Sequence, residues 1–237
     1  MKKIIVLITI SMSISTGCSI FNYKPNITDT QKSNAERISY LNSLPCCISP
    51  ENMVKEPLTS NTTNFTMEEN KFASNFNNFK SHYKLFSLSE LPNKSYYQLI
   101  TYTQEADNTP TLLFLPEIYL LDSDFQILGK SNFNKIEYER WSIRGSTNFK
   151  YYFRIDKNTL PNQDYVLIIS SPVPYGEKAS YSRSYNSSYT NMIGNQAYTI
   201  TEPKTDSINF QTSPSGVITI ESLGFMGKPL SDSAYIF

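Results

Sequence analysis

One run of residues, 111–124, constrains the fold more than any other part of the chain. Its alternating side chains form two sets, and both sets are apolar: Leu112, Phe114, Ile118 and Leu120, and Leu113, Leu115, Tyr119 and Leu121. An extended chain with two apolar faces is buried on both of them. We therefore predict that this run is the central strand of a β-rich domain. Because Pro116 cannot donate a hydrogen bond to a strand ladder, the strand should bulge or break there.

Period-two alternation indicates further strands at 95–103 and 148–155. Residues 165–170 are apolar on both faces and should lie next to other central strands, and 216–221 follow a turn and should form the last strand. Residues 31–44 instead carry apolar side chains at helical spacing, and Pro45 would end that helix. With 237 residues, 39% of them apolar, the chain can build one large core. The sequence therefore predicts a mainly β fold. It should be an antiparallel β-sandwich of roughly eight short strands with one short N-terminal helix, in a single domain over 31–237.

The N-terminus, residues 1–17, has the pattern of a secretory signal peptide. Lys2 and Lys3 precede an apolar stretch at 4–14. As a helix that stretch rises only about 16 Å, which is too little to cross a hydrocarbon core of about 30 Å. We therefore expect the segment to direct secretion and not to span a membrane.

Cys18 follows small residues, as the lipid-bearing Cys of a bacterial lipobox does, although Ser15 stands where an aliphatic residue is usual. We expect lipid attachment at Cys18 and a flexible tether over 18–30. Ser19 is not Asp, and this accompanies sorting to the outer membrane in lipoproteins of this type. The predicted location is the periplasm of a Gram-negative bacterium, with an anchor in the outer membrane. The alternative is an ordinary signal peptide with an incidental Cys.

The charges of the chain point away from nucleic acid as a partner. The chain has 21 basic and 21 acidic residues and no cluster of Lys and Arg. A nucleic-acid-binding face needs such a cluster. The sequence also contains no Walker loop, dinucleotide fingerprint or EF-hand pattern, so no cofactor is expected.

Cys46 and Cys47 are adjacent, and an oxidising compartment permits a disulfide between them. Two interpretations stay open at this stage: two small buried residues, or a disulfide ring that rigidifies a turn. Both give the pair a structural role. A zinc site is not expected, because two neighbouring thiols and His82, the only histidine, lack the ligand spacing of such a site.

The sequence does not assemble a catalytic set. A Ser-His-Asp hydrolase would need His82 as its base, but there is no G-x-S-x-G elbow, and we expect His82 to be an incidental surface residue. A glycosidase needs two carboxylates, for which Glu117 and Asp122 are candidates. Turn acids such as Asp122 more often bind the backbone of their own turn. We therefore expect no enzymatic activity, and a carbohydrate-active enzyme is the weakest alternative.

Aromatic residues are the remaining candidates for a ligand site. The C–H face of a sugar packs on aromatic rings, while polar side chains bind its hydroxyls. The candidate ligand-binding residues are Tyr138, Trp141, Arg144, Tyr175 and Tyr181. The last two belong to the segment 172–213, which is rich in Tyr, Ser and Asn and lacks strong periodicity, so we expect it to be functional or mobile. The alternative is that Trp141 only caps the core.

Several segments together resemble the maltose operon periplasmic protein family of Gram-negative bacteria. They follow the family in order and approximate spacing from about residue 40 to 222. The matching segments are LPCC (44–47), FSLSELP (86–92), LFLPEI (113–118), LLDSDF (120–125), YVLII (165–169) and SPSGVI (213–218). The lipid anchor and the Tyr/Ser/Asn-rich segment depart from the family pattern.

The resemblance implies a secreted, non-catalytic envelope protein associated with carbohydrate transport of the maltose or maltodextrin type. Such a protein would be an accessory that contacts a carbohydrate, a porin or another sugar-uptake component. The alternative is a structural or surface-interaction lipoprotein of the outer membrane without a small ligand.

Overall fold

The computed structural model describes residues 32–68, 70–104, 111–131, 137–139, 147–193, 196–224 and 235. These residues are mainly β with one α-helix, which confirms the predicted fold class. The expected signal peptide, Cys18 and the tether lie outside them. The helix α1 spans Asn34–Ser43. The described residues form fifteen strands, more than the roughly eight that the sequence predicts. These strands are β1 Cys46–Ile48, β2 Lys55–Pro57, β3 Thr63–Thr66, β4 Ala73–Ser74, β5 Tyr83–Ser87, β6 Lys94–Gln104, β7 Leu112–Phe114, β8 Pro116–Leu121, β9 Ile127–Lys130, β10 Glu137–Glu139, β11 Asn148–Asp156, β12 Tyr165–Ser170, β13 Lys178–Ile193, β14 Gln196–Ser213 and β15 Val217–Ser222.

The helix begins at Asn34, three residues later than predicted, because Ser33 caps it. The Ser33 hydroxyl accepts a hydrogen bond from the Glu36 backbone N–H at 3.3 Å, and the Glu36 carboxylate accepts one from the Ser33 N–H at 2.6 Å. This reciprocal arrangement is a capping box, which satisfies two N–H groups that a helix end leaves unpaired. The helix ends before Pro45, as predicted.

Two sheets make up most of the fold. The five-stranded sheet has the order β2-β5-β12-β8-β9. The larger sheet has the order β10-β11-β6-β7-β14-β13, and β15 also pairs with β6 and with β3. Three pairings are parallel: β1 with β4, β2 with β5, and β7 with β14. The other pairings between the described strands are antiparallel, as the sequence predicts.

The run at 111–124 forms two strands, and they belong to different sheets. β7 pairs with β6 and β14 in the larger sheet, whereas β8 lies between β12 and β9 in the five-stranded sheet. Leu115 is the single residue between them, and its carbonyl accepts a hydrogen bond from the Ser171 N–H at 2.7 Å. Pro116 is the first residue of β8, a position where a strand tolerates proline. The predicted break is confirmed, and it is also the point where the chain crosses the sandwich.

The main core lies between the two sheets. Both sheets contribute buried side chains to it, among them Leu99, Tyr151, Phe153 and Ile218 from the larger sheet and Phe86, Ile118, Leu120 and Ile168 from the five-stranded sheet. A second cluster, which includes Tyr119, Leu121 and Leu167, covers the opposite face of the five-stranded sheet. The inner strands β8 and β12 are therefore buried on both faces, and this explains why their sequences are apolar at nearly every position.

Polar side chains, and not a wide apolar face, fasten α1 to the turn after β14. Arg37 is only 1% exposed, donates to Ser215 Oγ at 2.9 Å and lies 3.7 Å from a Glu68 oxygen. Glu68 also accepts from Ser215 Oγ at 2.5 Å and from Lys32 Nζ at 2.6 Å. Burial raises the pKa of Glu68, but these hydrogen bonds and the Arg37 charge outweigh it, so the pKa lies below its usual value.

Candidate functional site

The segment 172–213 contains a long regular hairpin of β13 and β14. Its two strands pair without a bulge from Lys178 opposite Gln211 to Ile193 opposite Gln196. Within the described residues, the hairpin joins the rest of the sheet only at its root, where 211–213 pair with β7. The side chains of the root that pack against the main core are Ala179, Tyr181, Ile208 and Phe210.

Three rings meet at this root and form what we call the aromatic site: Phe149 on β11, Tyr181 on β13 and Phe210 on β14. The Phe149 ring lies 5.4 Å from the Tyr181 ring at 84° and 5.9 Å from the Phe210 ring at 71°, both edge-to-face. Phe149 and Phe210 are buried, whereas Tyr181 is half-buried. The hairpin register puts Tyr181 and Phe210 on one face, which turns toward β11.

Two cavities adjoin the aromatic site and share Ser180 and Phe210 in their walls. The larger has a volume of about 500 Å³ and is also lined by Thr111, Lys178, Ala179 and Asn209. The smaller has about 210 Å³ and is also lined by Leu115, Phe149, Ser171, Val173 and Tyr181. Small-molecule sites typically measure roughly 300–1,000 Å³. The region therefore combines aromatic walls with hydrogen-bonding groups, and it can hold a small ligand that has an apolar face and several hydroxyls.

The structure brings two of the five predicted ligand-binding residues to this region. Tyr181 is one of the three rings. Tyr138 lies on β10, and the register places it opposite Phe149 on the neighbouring strand. Trp141 and Arg144 lie outside the described residues. Whether Tyr138 and Tyr181 contact a ligand stays a prediction.

Tyr175 lies elsewhere, in a cluster with Leu41 of α1, Leu44 and Ala73 of β4. Its ring packs on Phe79 at 5.2 Å, and its hydroxyl donates to the Lys80 carbonyl at 3.1 Å. Burial raises the pKa of this hydroxyl. The side chain lines neither of the two cavities, so the structure does not bring Tyr175 to the aromatic site.

The sequence reasoning missed Phe210, Lys178 and Asn209. Phe210 had a usable signal, because Ile208 and Phe210 alternate with polar residues in an otherwise polar segment. Lys178 and Asn209 had none. They become neighbours only through the hairpin register, in which Asn209 lies opposite Ser180.

His82 is buried, so the expectation of an incidental surface residue is wrong. It is 0% exposed, its ring stacks on Tyr40 at 5.9 Å, and neither ring nitrogen has a hydrogen-bond partner. Burial lowers its pKa to about 4, while the charge of Glu68 opposes and that of Lys32 reinforces this shift. No serine hydroxyl among the described residues donates to the imidazole, so the ring is not arranged as the base of a hydrolase.

The two candidate acids are both occupied by structural contacts. Glu117 is 2% exposed, lies 2.7 Å from Lys130 Nζ and accepts a hydrogen bond from the Tyr119 hydroxyl. Asp122 accepts hydrogen bonds from the N–H groups of Asp124 at 3.0 Å and Gln126 at 2.8 Å. The expectation that Asp122 serves its own turn is confirmed.

Cys46 and Cys47 are bonded to each other as a disulfide in β1, and both are exposed. Of the two open interpretations, the structure has the ring and not the buried thiols. Over the residues that the structure describes, no group of three or more His, Cys, Asp or Glu side chains is placed to hold a metal ion. In the same residues, no helix has the length and apolar character needed to cross a membrane.

Comparison of the chain with protein-family models, with curated proteins and with solved structures finds no match. The resemblance to the maltose operon periplasmic proteins therefore stays an expectation from the sequence.

Proposed function

We propose that the protein is a non-catalytic, lipid-anchored periplasmic protein of carbohydrate transport, and that it binds a sugar at the aromatic site. One observation supports this most directly: a cavity of about 500 Å³, walled by Phe210, has Lys178 and Asn209 at its rim. The rings offer an apolar surface to the C–H face of a sugar. The ammonium and amide groups can bind its hydroxyls. The family resemblance makes maltooligosaccharides the first ligands to test.

The non-catalytic part of the proposal is supported by the contacts of the residues that chemistry would need. The Glu117 carboxylate is paired with Lys130, and Asp122 holds its own turn. The His82 ring is enclosed and remains neutral at ordinary pH because burial lowers its pKa to about 4. A general acid or base must reach the substrate, and none of these three groups lines either cavity at the aromatic site.

Isothermal titration of the purified protein with a series of maltooligosaccharides tests sugar binding. Lys178 and Asn209 are exposed rim residues, so Lys178→Ala and Asn209→Ala should leave the fold intact. Each variant should weaken binding roughly three- to tenfold, because a net hydrogen bond contributes about 0.5–1.5 kcal/mol. Ser207→Ala is the matched control, since Ser207 is exposed on the same strand but lines neither cavity.

The absence of both heat and a thermal shift across the whole series would contradict sugar binding. That outcome would favour the second candidate, a surface-interaction lipoprotein without a small ligand. A specific observation favours this second candidate already: the β13–β14 hairpin extends well beyond the sheet that its root joins.

A further inference from the structure

The outer part of the hairpin, residues 182–193 and 196–207, is a two-stranded ribbon that we call the arm. Beyond the root, the described strands β13 and β14 pair only with each other. Most side chains described in the arm are exposed, including those at 182–184 and 199–205. At about 3.3 Å per residue the arm extends about 40 Å along each strand.

The arm side chains that the structure describes are mostly polar and exposed. One face carries a double column of hydroxyls, in which Ser184 lies 3.2 Å from Thr205 and Ser188 lies 2.9 Å from Thr201. A two-stranded ribbon is marginally stable in water, and a third and fourth strand are what usually make such a ribbon independently stable. The arm is therefore in a position to gain stability from an added strand.

The two edges of the arm differ in how well they are protected against such pairing. The β14 edge carries Pro203 between Glu202 and Lys204, and all three are exposed. Proline and charged residues are the usual means of blocking an edge, and a strand tolerates proline where its nitrogen faces outward. The β13 edge has no proline and no bulge, and Arg183 is its only charged residue within the arm. Among the described strands of the arm, the β13 edge is therefore the less protected one.

We propose that the β13 edge pairs with β13 of a second copy of this chain. The strands would run antiparallel about a two-fold axis normal to the ribbon, which forms a four-stranded sheet in the order β14-β13-β13-β14. This interface is independent of the aromatic site, because that site lies at the root and the pairing uses the arm.

The serine hydroxyls of β13 favour a second copy of this chain as the partner, and the charge of Arg183 favours the antiparallel direction. Asn186 lies opposite Pro203, so its backbone N–H and C=O face outward from the ribbon. With the axis at Asn186, Ser184 comes opposite Ser188 of the second copy, which repeats the hydroxyl pairing that the ribbon already uses. The two Arg183 residues are then about 20 Å apart and screened from each other. A parallel, in-register pairing would instead place the two Arg183 side by side.

A pair of proline variants tests the proposal by sedimentation velocity on the purified protein. Ser184 and Thr205 lie opposite each other in the ribbon, and the backbone N–H of each points away from the partner strand. Ser184→Pro and Thr205→Pro therefore remove no hydrogen bond between β13 and β14. Both variants remove the same contact between the two hydroxyls. We expect the native protein and Thr205→Pro to sediment as dimers and Ser184→Pro to sediment as a monomer.

A monomeric native protein at micromolar to millimolar concentration, or an equally dimeric Ser184→Pro variant, would overturn the proposal. Circular dichroism establishes that the variants are folded. If one of them is not, Ser188→Pro and Thr201→Pro form a second matched pair with the same geometry. Sugar titration of the Ser184→Pro variant separates the two proposals, because the cavities at the root do not depend on the arm.

Discussion

At the residue scale, His82 is a buried base that finds no hydrogen-bond partner among the residues that the structure describes. The imidazole is 0% exposed, and burial lowers its pKa from 6.5 to about 4. The nearest charges act in opposite directions, since Glu68 favours the protonated ring and Lys32 disfavours it. An unfolded chain binds a proton at this side chain below about pH 6.5, whereas the folded chain does so only near pH 4. Acid therefore favours the unfolded state through this residue.

We expect the free energy of unfolding to fall by roughly 3 kcal/mol between pH 6.5 and pH 4 because of His82. Urea unfolding across this range measures the change. His82→Phe keeps a ring against Tyr40 but cannot titrate, so its stability should depend much less on pH. Tyr40→Phe is the control, because it keeps the imidazole and should show the native pH dependence. An equally steep loss in His82→Phe would assign the acid sensitivity to other groups.

Gly216 marks a close approach between the turn before β15 and the strand β7. A Cβ added at Gly216 would lie 2.5 Å from Phe114 Cβ, which belongs to a side chain buried in the core. Replacing glycine with alanine at an unstrained position stabilises by about 0.4–1 kcal/mol, but overpacking a core costs about 1–3 kcal/mol. The second effect is larger, so the close approach explains why glycine stands here.

We therefore expect Gly216→Ala to lower the free energy of unfolding by about 1–2 kcal/mol, as measured by urea titration. Gly224→Ala is the matched control. No atom of the described residues lies within 4 Å of a Cβ added at Gly224, so this variant should stay within about 0.5 kcal/mol of the native protein. A Gly216→Ala variant as stable as the control would show that β7 and the turn can separate at no cost.

At the scale of the elements, the strands that bury side chains were predictable and the arm was not. The segments at 148–155 and 165–170 alternate or are apolar throughout, and they are β11 and β12 in the structure. The arm side chains that the structure describes are mostly exposed, so burial does not impose an apolar alternation on these strands. Their regularity is seen only in the pairing of β13 with β14. Apolar periodicity in a sequence arises where one face of an element is buried, so an exposed ribbon does not produce it.

The buried polar residues of α1 were not predictable from the sequence either. An apolar stripe predicted α1, but its buried positions include Asn34 and Arg37. Asn34 donates to the Thr212 carbonyl at 2.9 Å, and Arg37 is paired with Ser215 and Glu68. These partners are distant in the sequence, so a pattern within the helix could not identify them.

At the scale of the whole molecule, the passage of the chain from the larger sheet to the five-stranded sheet positions the candidate site. The chain changes sheets between β7 and β8, and β7 also holds the end of β14. This places the hairpin root, with Phe210, against Phe149 of β11. Tyr181 was predicted from its residue type, but the two rings that make it part of a site, Phe149 and Phe210, come from two other strands. Their convergence depends on tertiary topology, which a single sequence does not display.

At this scale the sequence also predicts how the protein would attach to a membrane, and we expect attachment to depend on lipid at Cys18. Without Lys2 and Lys3 of the predicted signal peptide, the chain would have fewer basic than acidic residues, so its charge would give no attraction to anionic lipid. Acyl chains contribute about 0.8 kcal/mol per buried methylene, and more than one chain is needed for stable anchoring. We expect Cys18→Ala to move the protein from the membrane fraction to the soluble fraction of cells. Ser19→Ala keeps the cysteine and should stay with the membranes. If Cys18→Ala also stays there, the anchor lies elsewhere.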